Sequence, residues 1–158
     1  MPQLIQLESI ESKANSEDVS TIDGIIRAFY EVISGPAGMP RQWERDRTLY
    51  APGAISASSR LDAEGKRFTL AMDVDGFIKF AEPRLLGGFF EYETSRTAFK
   101  VGNVTHVFSH YESRQTADGP VIGRGINSIE LIYAAGRYWI VAALWDSATE
   151  EREPVQVS

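Results

Sequence analysis

Cysteine is absent from the 158 residues, and that gap removes disulfides, thiolate metal sites and cysteine nucleophiles together. Histidine is nearly absent: there are two, His106 and His110. No window is strongly basic. Sixteen lysines and arginines against twenty-two aspartates and glutamates give a formal charge of −6, so a nucleic-acid backbone or an anionic membrane would be repelled. Nowhere is there an apolar run of the roughly 18 residues that a bilayer-spanning helix needs. The opening MPQLIQLESIESKANSED has no basic patch ahead of an unbroken apolar stretch, so neither a leader nor an anchor is expected and the default location is the cytoplasm. GxSxG, the Walker loop, GxGxxG and HExxH are all missing, which removes nucleophilic and nucleotide readings. No metal, no cofactor, no nucleic acid and no membrane is expected as a partner.

What is present suits one domain. The chain is 43% hydrophobic, and a chain of this length buries about two-thirds of its unfolded surface. Residues 1–15 and 148–158 are polar enough to be expected as disordered tails, the second acidic, which leaves a domain over 16–147.

In SEDVSTIDGIIRAFYEVISGP, the residues Ile22, Ile25, Ile26, Phe29 and Ile33 fall at helical spacing. Ser20 and Asp23 are placed as a capping box, Ser16 offers an earlier start, and Gly35-Pro36 makes a stop. A second helix is expected to open with Pro40 at its first position and run through RQWERDRTLY. AISAS and RFTLAM read as strands around the turn LDAEGK. Asp73 looks like the N-cap of a third helix that Pro83 should kink or end early. Four long strands follow from Phe89, joined at Gly102-Asn103, Ala117 to Pro120 and Ala135-Gly136. The expected class is α+β: a cone-shaped, curved, mixed or antiparallel sheet with three helices over its concave face.

Alternation along the strands sorts the side chains into two faces. One face takes Tyr92, Thr94, Arg96, Ala98, Thr105, Val107, Ser109, Tyr111, Asn127, Ile129, Leu131, Tyr133, Tyr138, Ile140, Ala142 and Leu144. The other takes Glu91, Glu93, His106, His110, Glu112, Arg114, Glu130, Trp139 and Trp145. The first is mainly apolar, as expected for a helix-covered face around a cavity. The second is charged and aromatic, as expected for solvent or a second subunit. The histidines therefore fall outside the pocket, beside Glu93 or Glu112. Four residues apart on a strand, they stand about 13 Å apart at roughly 3.3 Å per residue, too far to share one metal ion.

The stretch from about Ser16 to Ser147 resembles the nuclear-transport-factor-2-like, or SnoaL-like, superfamily. The resemblance is carried by LYAPGA, similar to the family's step into its first strand, and by GRYWI, similar to its last strand, in the family's order and spacing. It implies a cone-shaped α+β fold, a pocket between helices and sheet, and homodimers through the sheet. It does not imply one activity, because the fold serves isomerases, dehydratases, hydrolases, cyclases and binding modules. The family's ketosteroid isomerases keep a general-base aspartate where this chain has Ser58, and a serine does not take a proton from carbon, so that activity is disfavoured. Their phenolic donor falls at Phe29 or Tyr30, of which only Tyr30 can donate.

Expected pocket residues are Tyr30, Trp43, Asp46 and Ser58, with Tyr92, Arg96, Ser109, Tyr111 and Asn127 from the sheet; Asp46 and Tyr30 are the catalytic candidates. A buried Asp46 near tyrosines has the chemistry of a general acid or base. The plainer alternative, favoured at this point, pairs it with Arg45, Arg47 or Arg96. Two functions stay open: a small-molecule protein acting on an apolar ligand by cofactor-free acid/base chemistry, or a non-catalytic dimeric binding or interaction module.

Overall fold

The apolar stripe of IDGIIRAFYE becomes a ten-residue helix, Ile22–Glu31, in a computed structural model that describes residues 3–147 and 153–158. Label it α2, because the earlier start at Ser16 forms a separate short helix, α1 (Ser16–Val19). Thr21, not Ser20, is its cap: the Thr21 hydroxyl accepts from the Gly24 N–H at 2.9 Å, while Ser20 turns its own hydroxyl back to the Ser16 carbonyl. The helix expected from Pro40 is shorter than that. α3 covers Trp43–Arg47, starts at Gln42 without a side-chain cap, and gives way at Tyr50 to a strand. Asp73 does cap α4 (Val74–Leu85), its carboxylate accepting from the Gly76 N–H at 2.7 Å. Pro83 sits in the last turn, where it removes the bond its N–H would have given to the Lys79 carbonyl, and the helix still passes it to end at Leu85.

The strands are β1 (Tyr50–Leu61), β2 (Arg67–Met72), β3 (Phe90–Val101), β4 (Val104–Arg114), β5 (Val121–Ala134) and β6 (Arg137–Asp146). They form one mixed sheet in the order β2-β1-β6-β5-β4-β3, in which β1 and β6 run parallel and all other neighbours antiparallel. Tight turns fall at Gly102-Asn103 and Ala135-Gly136. Ala135 and Gly136 both have positive φ, 54° and 74°, as the mirror-image hairpin turn requires.

Two bulges decide which residues face the helices. Between Glu93 and Ser95 the β3–β4 register shifts by one residue, so Glu91 and Glu93 share a face with Arg96 and Ala98, whereas Tyr92 pairs with Glu112 on the outer face. A second shift at Val141 sends Ala142 and Leu144 outward and brings Ala143 and Trp145 inward. The assignments of Glu91, Glu93, Tyr92, Ala142, Leu144 and Trp145 from plain alternation are thereby reversed; those of β4 and β5 stand. His106 and His110 are on the outer face with Glu112, two residues along β4 from His110, while Glu93 is on the opposite face. His106 Nδ1 pairs with Glu130, and His110 Nε2 lies 3.7 Å from Glu153.

The core lies between α2 and the inner face. Ile25, Ile26 and Ala28 pack with Val107, Ile129, Leu131, Ile140 and Ala143, all fully or almost fully buried. Each isoleucine contributes about 2 kcal/mol by leaving water. A smaller cluster of Trp43, Ile78 and Ala81 joins α3 to α4. Between the two clusters the layers separate and leave a cavity. Arg137 ties the N-terminal segment to this frame, donating to Ser12 Oγ at 3.0 Å and to the Thr48 carbonyl at 2.7 Å while its guanidinium lies over Trp139. The tail residues 148–152 lie outside the described residues; Glu153 and Pro154 rest by Phe108, Ile126 and Leu144 on the outer face.

Candidate functional site

The cavity has a volume of about 410 Å³ and is lined by Phe29 of α2 and Ile33 just past its end, from α4 by Phe77, Phe80, Arg84 and Leu85, and from the sheet by Tyr50, Ser56, Arg60, Glu91, Tyr111, Ser113, Asn127 and Trp145, among others. Its walls are mostly aromatic and aliphatic, with few polar groups, as small-molecule sites are. The loop after α2 braces one side. Gly35 pairs with Phe89, and Arg41 donates to the carbonyls of Pro36 and Leu85, which fixes the end of α4 beside the start of β3.

Glu91 is the ionisable acid in the wall. Its Oε2 accepts from Ser113 Oγ at 2.9 Å, and no cation pairs with it among the described residues. Burial pushes its carboxyl up to about 7 against the single opposing effect of the Ser113 hydroxyl. Beside it, burial and the Glu91 charge both raise the Tyr111 phenol, and Arg60 pulls it back. Tyr111 lies flat across the sheet because β5 offers Gly125 opposite it. A Cβ at Gly125 would stand 2.4 Å from the Tyr111 hydroxyl.

Two residues along the same strand the arrangement is different. Glu93 accepts from Arg96 Nε at 2.9 Å and Nη2 at 2.6 Å, and from Ser109 Oγ. Since Ser109 gives its proton to Glu93, the Tyr30 hydroxyl must donate to Ser109 at 2.7 Å, and Tyr30 in turn accepts from Asn127 Nδ2 at 3.1 Å. Arg96 Nη1 continues outward to Asp23 at 2.6 Å. Every member of this chain has partners. Burial raises the Tyr30 phenol despite those hydrogen bonds.

Asp46 makes no ion pair with Arg45, Arg47 or Arg96. Those arginines go to Asp18 and Glu31, to Glu44 and Asp75, and to Asp23 and Glu93. Asp46 is 1% exposed, it hydrogen-bonds Tyr50, and its Oδ2 has no partner. Burial pushes it up to about 7, with Arg47 and Tyr50 opposing. Tyr50 lines the cavity and stands as the contact between Asp46 and that space.

Of the residues expected around a pocket, Tyr111 and Asn127 line the cavity. Tyr30, Ser109 and Arg96 form the polar chain behind Asn127, and Asp46 lies behind Tyr50. Trp43 sits edge-on to Phe77, with its indole N–H unpartnered. Ser58 is buried in β1 opposite Trp145, its hydroxyl also unpartnered. Tyr92 is 40% exposed on the outer face, with its hydroxyl donating to the Ala117 carbonyl. Sequence reasoning missed Glu91, Arg60, Phe80 and Arg84. The phase of β3 could have revealed Glu91 only through the bulge at Thr94, and EYETSR carries no glycine or proline to mark one. Among the described residues no group of three or more His, Asp and Glu is placed to hold a metal ion, and no helix is long and apolar enough to cross a membrane.

No protein-family profile matches the chain, and no curated protein does. Solved structures do. A Nostoc punctiforme protein of unknown function with a cystatin-like fold superposes with a TM-score of 0.60 at 8% identity, over 79% of this chain and 86% of that one. A provisionally assigned dehydratase of the NTF2-like family from Streptomyces avermitilis gives 0.58 at 12% identity, over 82% and 95%. LinA gives 0.56 at 11% identity, over 78% and 81%. The chain has the NTF2-like fold. At these identities the likeness concerns fold alone.

Proposed function

We propose that this protein binds a small, largely apolar molecule in the cone cavity and performs cofactor-free acid–base chemistry on it, with Glu91 as the group that moves the proton. The observation that carries this reading is a carboxyl in the wall of an apolar cavity, without a cation partner, poised at about 7. A group with that value exists in both forms near neutral pH, which is where a general acid or base is most effective. Tyr111 and Asn127 supply hydrogen bonds that orient a ligand, and Asp46 through Tyr50 is a second proton reservoir on the same space. The NTF2-like dehydratase neighbour supports the reaction class by analogy of fold.

A nitrobenzisoxazole tests this directly, because its ring opens when a base removes the ring-carbon proton: the N–O bond breaks and a coloured phenolate forms. The wild-type protein should accelerate this opening over free acetate, with a rate that rises through about pH 7. Glu91→Gln should lose the acceleration while keeping its fold; an unchanged rate in that variant would remove Glu91 from the reaction.

A second reading concerns assembly, and exposed apolar residues on the outer face favour it: Phe99, Val101, Val104, Val141 and Leu144. We propose that this face pairs two copies of the chain. Sedimentation at micromolar concentration should give the mass of a dimer; a monomer would contradict it.

A further inference from the structure

Twelve arginines are present, and eleven fall among the described residues. Seven of these, Arg27, Arg45, Arg47, Arg67, Arg96, Arg114 and Arg124, face carboxylates. Two more, Arg41 and Arg137, are held by backbone carbonyls inside the fold. Arg60 and Arg84 differ from all of them. Among the described residues neither has a carboxylate partner, in a protein with a formal charge of −6 and no shortage of acids. Both line the cavity, one from β1 and one from α4, and both bring the guanidinium over the same ring: Arg84 lies 3.9 Å and Arg60 5.2 Å from the Phe80 centroid. Arg84 also donates to the Phe80 carbonyl at 2.6 Å, which pins it to its own helix.

Phe80 therefore gathers two cations from different elements onto one wall of an otherwise apolar space. A ring face attracts a guanidinium but leaves its in-plane N–H donors free, and those donors match a carboxylate in geometry and charge. Arg124 also reaches the cavity, but Glu112 neutralises it at 3.1 Å.

Resting on the reading of this cavity as a ligand site, we infer that its ligand is an organic anion, an apolar body bearing a carboxylate that Arg60 and Arg84 receive beside Phe80. The apolar body fills the space between Phe29, Ile33, Phe77 and Trp145. The pair selects the charged end and fixes which way round the molecule lies relative to Glu91.

Naphthoate and its neutral isostere naphthamide, titrated separately by calorimetry, decide the matter. Wild-type protein should bind the acid about tenfold more tightly than the amide. In Arg60→Gln/Arg84→Gln that preference should vanish while amide affinity stays the same, and the double variant should stay folded with at most a small drop in melting temperature, since it loses contacts to the Phe80 ring but no ion pair. Equal affinity for acid and amide in the wild type would overturn the charge inference and leave the cavity as a site. A preference that persists in the double variant would overturn the assignment to these arginines. Failure of both compounds to bind would overturn this inference and the ligand-site reading together.

Discussion

Glu91 and Glu93 sit on one strand, on one face, two residues apart, and their surroundings divide the inner surface into two regions. Around Glu93 every polar group is answered: Asn127, Tyr30, Ser109, Glu93, Arg96 and Asp23 form a chain with partners from end to end. Around the cavity the polar groups stand short of partners: Glu91 has one hydroxyl, Asp46 Oδ2 has none, and Arg60 and Arg84 share a phenyl ring. A satisfied buried network fixes strand register and holds α2 to the sheet. A group left short of partners in a cavity wall costs stability, and such a cost is tolerated where a ligand or a proton supplies what is missing.

This contrast is open to attack from both sides. Breaking the satisfied region should have the larger effect. Arg96→Ala leaves the Glu93 carboxylate with only the Ser109 hydroxyl, and denaturant unfolding should show a loss of about 2–3 kcal/mol, at or below the low end of the range for a buried pair stripped of one member because both side chains are partly exposed. A loss below about 0.5 kcal/mol would place that chain with ordinary surface ion pairs.

The unsatisfied region should respond with the opposite sign. Asp46 has its carboxyl raised in the folded state from 3.8 to about 7, so between those values the native protein holds a proton that the unfolded chain has released. Stability from this group is complete below about pH 4, falls as pH rises towards 7, and is flat beyond. Asp46→Asn removes that dependence. Its melting temperature should match the wild type near the acid end and exceed it above about pH 7, by an amount on the order of 2 kcal/mol in stability. A variant that is less stable than wild type at all pH values would show that the contact with Tyr50 outweighs the cost of burying the carboxyl.

The legible part of this molecule is what local physics dictates. The isoleucine stripe of α2, the Asp73 cap, the two hairpin turns and the α+β class follow from spacing and turn chemistry in the sequence. The faces of β3 and β6 do not. In WIVAALW every residue from Trp139 to Trp145 is apolar, so alternation carries no phase, and the bulge at Val141 passes unmarked. In EYETSR charged and polar residues fill both phases, which hid Glu91 on the wrong face. Arg60 and Arg84 look like surface arginines in one dimension. Arg84 meets Phe80 one turn away on its own helix, and only the approach of β1 to α4 brings Arg60 to the same ring, apart from the seven that meet carboxylates. The candidate site is thus assembled by tertiary contacts, which a single sequence does not encode locally.

The proton-transfer role of the cavity depends on the state of the Glu91 carboxyl. Carbon-13 NMR of protein labelled at the glutamate side-chain carboxyls, followed through a pH titration of wild type and Glu91→Gln, reads it without any substrate. A single carboxyl resonance with a midpoint at about 7, absent from the variant, is the predicted result. If the resonance lost in Glu91→Gln titrates instead near 4.5, the value of an ordinary glutamate, Glu91 is already ionised at neutral pH and the proton-transfer role proposed for it is wrong.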